Sequence, residues 1–127
     1  LKELFDRDAF WAKGRSFKGL KLMLSKSTVV ITIWNKNKII GFGRATSDYY
    51  YRAVLWDIIV SKEEEGKGIG SIIIETLMSS PEIKNVEKVY LMTTHCSDFY
   101  QQKGFKVNKN QNLLYINQQS ESSEIYI

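Results

Sequence analysis

Three glycines, Gly66, Gly68 and Gly70, stand at alternate positions behind an apolar run and ahead of a helical pattern. Glycine lets the backbone turn with positive φ and approach a ligand without a Cβ in the way. The first N–H groups of the helix that follows have no partner inside that helix, and they lie at the positive end of its dipole. A backbone arranged in this way binds phosphate, and Lys67 adds a charge. Two other phosphate patterns do not fit. G-x-x-x-x-G-K-[ST] would need a glycine at 61 and a hydroxyl after the lysine, where the chain has Ser61 and Gly68. G-x-G-x-x-G fails at Ser71 and needs a longer doubly wound domain around it.

Other side chains with chemistry to offer are few. There is one cysteine, Cys96, and one histidine, His95. That rules out an internal disulfide and leaves no ligand set for zinc, so no metal is expected. Imidazole titrates near neutrality, which makes His95 a candidate base. Asp57 interrupts a strongly apolar run, and a carboxylate buried there must be paired. Arg44 is the candidate partner, and a core ion pair and a functional role stand as equal readings of Asp57.

The elements that must position these residues follow from periodicity. Residues 1–13, with Leu4, Phe5, Ala9 and Ala12 among charges, suit a helix. A second helix runs from Ser16, a plausible cap, to Leu24. TVVITIW at 28–34 and Ile39–Thr46 form a hairpin about the polar turn Asn35–Lys38. A second turn at Ser47-Asp48 leads through Tyr49, Tyr50 and Tyr51 to AVLWDIIV at 53–60, apolar enough for a central strand. Ile69, Ile72, Ile73, Thr76 and Leu77 mark a helix over 69–79 that Pro81 ends. Val86–Met92 is a strand. Ser97–Lys103 is a short helix stopped by Gly104, and 105–107 with 113–116 predict a last hairpin. The strand–helix–strand unit over 53–92 implies a right-handed parallel crossover, so the sheet is mixed. The reading is one domain over 1–117 and a loose polar tail over 118–127.

Composition agrees. The chain has 127 residues, 18 Lys+Arg against 14 Asp+Glu, and is 43% hydrophobic and 25% charged. That is one ordinary globular domain, able to bury roughly two-thirds of its unfolded surface. No apolar run nears the ~18 residues of a membrane span. The net charge of +4 favours an anionic ligand, and no dense Lys/Arg cluster points to nucleic acid. The chain begins at Leu1 and reads as a trimmed polypeptide without a secretion signal.

Two segments together resemble the GNAT superfamily of acetyl-CoA-dependent N-acetyltransferases. Glu65-Gly66-Lys67-Gly68-Ile69-Gly70 is similar to that family's [QR]-x-x-G-x-[GA] motif, departing at the first position. Asp98-Phe99-Tyr100-Gln101-Gln102-Lys103-Gly104-Phe105 is similar to its F-Y-x-x-x-G-F motif. The resemblance covers about residues 28–116. GFGRATSD at 41–48 and LWDIIV at 55–60 resemble the cyanobacterial and plastid branch, which includes the plant serotonin N-acetyltransferases, which also act on protein lysines. The family's usual first strand would precede Leu1.

The resemblance implies an α/β (α+β) fold with a mixed, mostly antiparallel sheet, flanking helices and a V-shaped split between 54–60 and 86–92. It implies that pantetheine pairs with the backbone of Ile58, Ile59 and Val60. Pyrophosphate would sit on the loop Glu65, Gly66, Lys67, Gly68, Ile69, Gly70 and Ser71, with Thr93 on the cofactor side. An amide at Ile58 or Ile59 would polarise the thioester. Tyr100 matches the family's general acid; a phenol with pKa about 10 can supply a thiolate with pKa about 8.5. For the base, Asp57, His95, Asp98 and a water chain stay open, because plant relatives carry Asp where Thr93 stands. Glu65 should face solvent. The acceptor is a small amine (an arylalkylamine such as serotonin, or a polyamine), or a protein lysine or N-terminus. A non-catalytic acyl-CoA-binding module is the alternative class. The bacterial cytoplasm or plastid stroma is the expected location, and dimers are common in the family.

Overall fold

Two short helices open the computed structural model, which describes residues 1–119: α1 (Lys2–Asp8) and α2 (Phe17–Lys26). Strands β1 (Val29–Asn35), β2 (Lys38–Ser47) and β3 (Arg52–Val60) follow. A single 3₁₀ turn at Lys62–Glu64 leads into α3 (Ile69–Ser79), then β4 (Lys88–Leu91) and α4 (Ser97–Gln102). The chain divides into two compact units, Leu1–Met92 and Thr93–Ile127. Residues 120–127, most of the expected tail, lie outside the described residues. Among the described residues no helix is long and apolar enough to cross a membrane.

The first unit holds the sheet, in the order β1-β2-β3-β4. β1–β2 and β2–β3 are antiparallel, and β3–β4 is parallel through the α3 crossover. The apolar run 53–60 is thus an inner strand, and the sheet is mixed and mostly antiparallel, as expected.

Side-chain alternation along β2 serves the two faces of the sheet. Phe42, fully buried, meets Phe5 edge-on at 5.4 Å and joins Leu4, Ala9, Ala12 and Leu20 in one core cluster. Its neighbours Gly41 and Gly43 admit α3 on the other face. A Cβ at Gly43 would lie 2.7 Å from Ile73 Cγ2 and 3.3 Å from both Ile58 Cγ1 and Leu77 Cδ1. This close approach seats α3, and with it the glycine loop at its N-terminus. Gly43→Ala is therefore expected to overpack the site and cost about 1–3 kcal/mol. A lower denaturant midpoint at unchanged m-value would show it; an unchanged midpoint would mean that α3 has room to shift.

Several boundaries differ from the sequence reading. The first helix ends at Asp8, not 13: Ala9 is extended, and Gly14 at φ +84 donates its N–H to Asp6 Oδ1 at 2.8 Å, folding 9–14 back into turns. Ala9 and Ala12 are still buried there, so a helical apolar pattern is here a pair of core contacts from non-helical backbone. In α3 the buried face is Ile69, Ile73, Ile74 and Leu77, while Ile72 is half exposed. The predicted hairpin of 105–107 and 113–116 is not formed; neither segment is a strand. Asn108 Oδ1 accepts from the Asn110 N–H and organises a turn, but Leu113, Leu114, Tyr115 and Ile116 stay exposed. A two-stranded pair with no layer to cover it is marginal.

Candidate functional site

β3 is the element on which the first unit's candidate residues converge. Its ladder with β4 runs from Arg52↔Lys88 to Leu55↔Leu91 and ends there. Trp56–Val60, including Ile58, Ile59 and Val60, therefore have no β4 partner among the described residues. Their other side pairs with β2, but irregularly: Phe42↔Ile59 and Arg44↔Trp56 leave Asp57 and Ile58 opposite the single residue Gly43. This is a bulge, and its first residue, Asp57, is left-handed at φ +55.

The Asp57 side chain is 5% exposed and fully engaged. Oδ1 accepts from the Trp11 indole N–H at 2.9 Å, and Oδ2 meets Arg44 Nε at 2.9 Å and the Arg15 guanidinium at 3.1 Å. Burial by itself would raise the carboxyl's pKa, but the hydrogen bonds and charges of Arg15 and Arg44 outweigh it and hold the group below the ordinary carboxylate value. The Arg44 pair was expected. Trp11 and Arg15 were not; the one sequence signal for them was that a lone acid in an apolar strand needs partners.

Past Val60, Ser61 is buried and its hydroxyl accepts from Arg7 at 3.2 Å, while the Lys62 N–H donates to Asp8 Oδ2 at 3.1 Å. These bonds tie the end of α1 to the start of the loop. Gly66 and Gly68 adopt φ +82 and +80, and a Cβ at either would meet nothing within 4 Å. They are glycines for their backbone angle, and the space in front of them is open. Gly68 caps α3 without a side-chain bond, so the N–H groups of Ile69, Gly70 and Ser71 begin the helix without intrahelical acceptors. Left-handed glycines, open space and unpartnered amides together fit a phosphate group. Lys67 is not held in reserve for it: its ammonium pairs with Glu64 Oε2 at 2.8 Å, a contact the i,i+3 spacing could have announced. Glu65 is exposed.

The second unit carries the remaining candidates. Thr93, His95, Cys96 and Asp98 are exposed. Thr93 Oγ1 accepts from the Cys96 N–H at 3.1 Å, and the Cys96 carbonyl accepts the Tyr100 N–H at 3.2 Å. Cys96 is thus the N-terminal cap residue of α4 through its backbone, with its side chain making no cap bond. Tyr100 is buried at 9% exposure, with Phe99 at 5.1 Å and Phe105 at 6.0 Å as edge-on ring neighbours. Burial, with the Cys96 thiol as a lesser cause, pushes its phenol up to about 12. Gly104 at φ +99 turns the chain so that the Phe105 N–H reaches the Tyr100 carbonyl at 3.1 Å.

Tyr49, Tyr50 and Tyr51 line neither the loop nor the bulge. All three are exposed in the turn before β3, which Asp48 organises by accepting the N–H groups of Tyr50, Tyr51 and Arg52. They stand at the opposite end of β3 from the glycines.

Comparison with known proteins gives a consistent family. Residues 26–107 match the model of the acetyltransferase (GNAT) domain. An uncharacterized N-acetyltransferase, ycf52, of Pyropia yezoensis is 30% identical over 100 residues, which are 75% of this chain and 57% of that protein. The GCN5-related N-acetyltransferase 2, chloroplastic, of Arabidopsis thaliana is 34% identical over 74 residues, 58% of this chain and 29% of its own length. The chain thus spans little more than half of the first relative and less of the second. Among solved structures, a GNAT-family crystal structure from Xanthomonas campestris pv. campestris superposes with TM-score 0.79 at 21% identity, covering 90% of this chain and 82% of that one.

Proposed function

The chain belongs to the GNAT acetyltransferase family, and from that premise we propose that it moves the acetyl group of acetyl-CoA directly onto a primary amine. One observation carries the reading: an inner strand whose edge beyond Leu55 has no partner among the described residues runs into a loop with two left-handed glycines and the bare amides of α3. An extended pantetheine arm has backbone partners on Ile58, Ile59 and Val60. Its pyrophosphate has the amides of Gly66 through Ser71, with the helix dipole behind them.

The reaction asks little covalent work of the protein. A neutral amine nitrogen attacks the thioester carbon, the C–N bond forms, and the C–S bond breaks with its electron pair leaving on sulfur. The carbonyl oxygen gains charge in between, and on this reading an amide on the open edge at Ile58 or Ile59 donates to it. Tyr100, on the F-Y-x-x-x-G-F match, donates toward the departing sulfur. The nitrogen must also shed a proton. Asp57 is saturated by Trp11, Arg15 and Arg44, so this step goes to His95, the only imidazole, to the exposed Asp98, or to water. Thr93, Glu65 and Lys67 stay on the cofactor side, with Lys67 exchanging Glu64 for phosphate. The likeness to a chloroplastic relative supports a plastid or bacterial-cytoplasmic setting.

The test is thiol release from acetyl-CoA by the full chain, offered serotonin, spermidine and a lysine peptide in turn. Release that depends on one of these amines is expected, and the amine names the acceptor class. Tight CoA binding with no release on the whole panel would overturn the catalytic reading in favour of an acyl-CoA-binding module.

A further inference from the structure

An ordinary core ion pair needs one partner and can sit anywhere on a strand. Asp57 has three partners from two separate segments, Trp11 and Arg15 from 9–16 and Arg44 from β2, and it is the one residue of β3 with left-handed backbone. If the bulge needed only that backbone angle, glycine would be the local solution. An aspartate there means that the carboxylate itself is used. The donors it grips are in turn fixed. Arg15 lies over the Phe5 ring at 5.6 Å and approaches the Met23 sulfur at 3.5 Å. Arg44 lies over the Trp56 ring at 5.7 Å and reaches Ser27 Oγ at 3.4 Å. Trp11 belongs to the irregular 9–16 segment, which has no ladder or helix of its own to hold it.

We propose that Asp57 is a positioning residue for acetyl transfer: by holding Trp11, Arg15 and Arg44 at once, its carboxylate fixes the β3 bulge, aims the adjoining Ile58 amide along the strand's open edge, and pins the 9–16 segment to that point. The device touches no reacting atom. It sets the direction of a backbone donor, and misplacement of such a group by about 1 Å costs on the order of 10²-fold in rate. The kinetic consequence rests on the acetyl-transfer reading above; the mechanical one does not.

Three variants of the full chain separate the contributions. Asp57→Gly keeps the backbone angle and deletes the grip. Asp57→Asn keeps an oxygen for Trp11 and removes the charge. Trp11→Phe keeps a ring and removes one donor. Asp57→Gly is expected to lower kcat by about 10²-fold, with Asn and Trp11→Phe in between. The Kd for CoA by calorimetry should rise by much less than kcat falls, because the glycine loop proposed to hold the pyrophosphate is untouched even where the backbone at 58–60 loosens. The pH profile of kcat/KM should keep its shape and move down as a whole, whereas a lost acid limb would make Asp57 the proton acceptor and overturn the positioning role. Amide hydrogen exchange should rise together in 56–60 and in 9–16 in Asp57→Gly. Unchanged exchange in either segment, or kcat within about twofold of wild type in both Asp57→Gly and Trp11→Phe, also overturns the proposal. If the wild type acetylates no amine, the acetyl-transfer reading fails on its own, and the exchange comparison still decides whether the grip exists.

Discussion

Tyr100→Phe is expected to lower kcat for acetyl transfer by about 10²-fold or more while leaving KM for acetyl-CoA within about twofold. The ring stays, with its edge contacts to Phe99 and Phe105, so the variant should fold and bind. Only the hydroxyl is removed. The magnitude of the loss says what that hydroxyl does. A phenol pushed up to about 12 by burial lies some 3.5 pK units above a thiol near 8.5, so complete proton delivery runs uphill by about 5 kcal/mol. On the acetyl-transfer reading proposed above, the phenol would then act chiefly as a hydrogen-bond donor to sulfur as the C–S bond breaks, with the last proton supplied by solvent.

That assignment has a pH signature with a definite sign. Because the folded pKa lies above the unfolded value, Tyr100's contribution to stability is fully present below about pH 10 and is lost as pH rises through about 12. The wild type should show no alkaline limb in kcat from this group between pH 7 and about 10. Denaturant unfolding at high pH should weaken the wild type more steeply than Tyr100→Phe. A wild-type rate in Tyr100→Phe, with an unchanged profile, would remove Tyr100 from the reaction.

Much of the first unit was legible because its signals are local. β-branched runs with polar turns between them give β1 and β2, and Pro81 and the spacing of Ile69, Ile73 and Leu77 give α3. The glycine loop was legible for the same reason: a positive φ leaves its mark in the residue type itself. What could not be read was decided by partners far along the chain. The first helix stops where Asp6 captures Gly14 and Asp8 captures Lys62. The Asp57 bulge depends on Arg44, 13 residues back, and on Trp11, 46 residues back. Residues 113–116 show the converse error, since strand propensity without a covering layer makes no strand.

Gly68→Val is the substitution expected to act most strongly on binding. Its cost to folding is bounded: at φ +80 with no atom within 4 Å of the added Cβ, the penalty is backbone strain of about 1–2 kcal/mol. Its effect on a phosphate is larger. The β-branched side chain fills the open space in front of the α3 amides and pulls the cap out of its left-handed angle. Two charge-assisted bonds, at about 1.5–3 kcal/mol each, are then lost together, which weakens CoA by some 10²- to 10⁴-fold. Gly14→Ala supplies the control, since Gly14 has the same left-handed angle (φ +84) and equally open surroundings but lies outside the loop. It should cost comparable stability and leave the calorimetric Kd for CoA unchanged. If Gly68→Val binds CoA within about threefold of wild type, the α3 N-terminus is only a connection between β3 and its crossover helix. The open edge of β3 would then have to hold the cofactor without it.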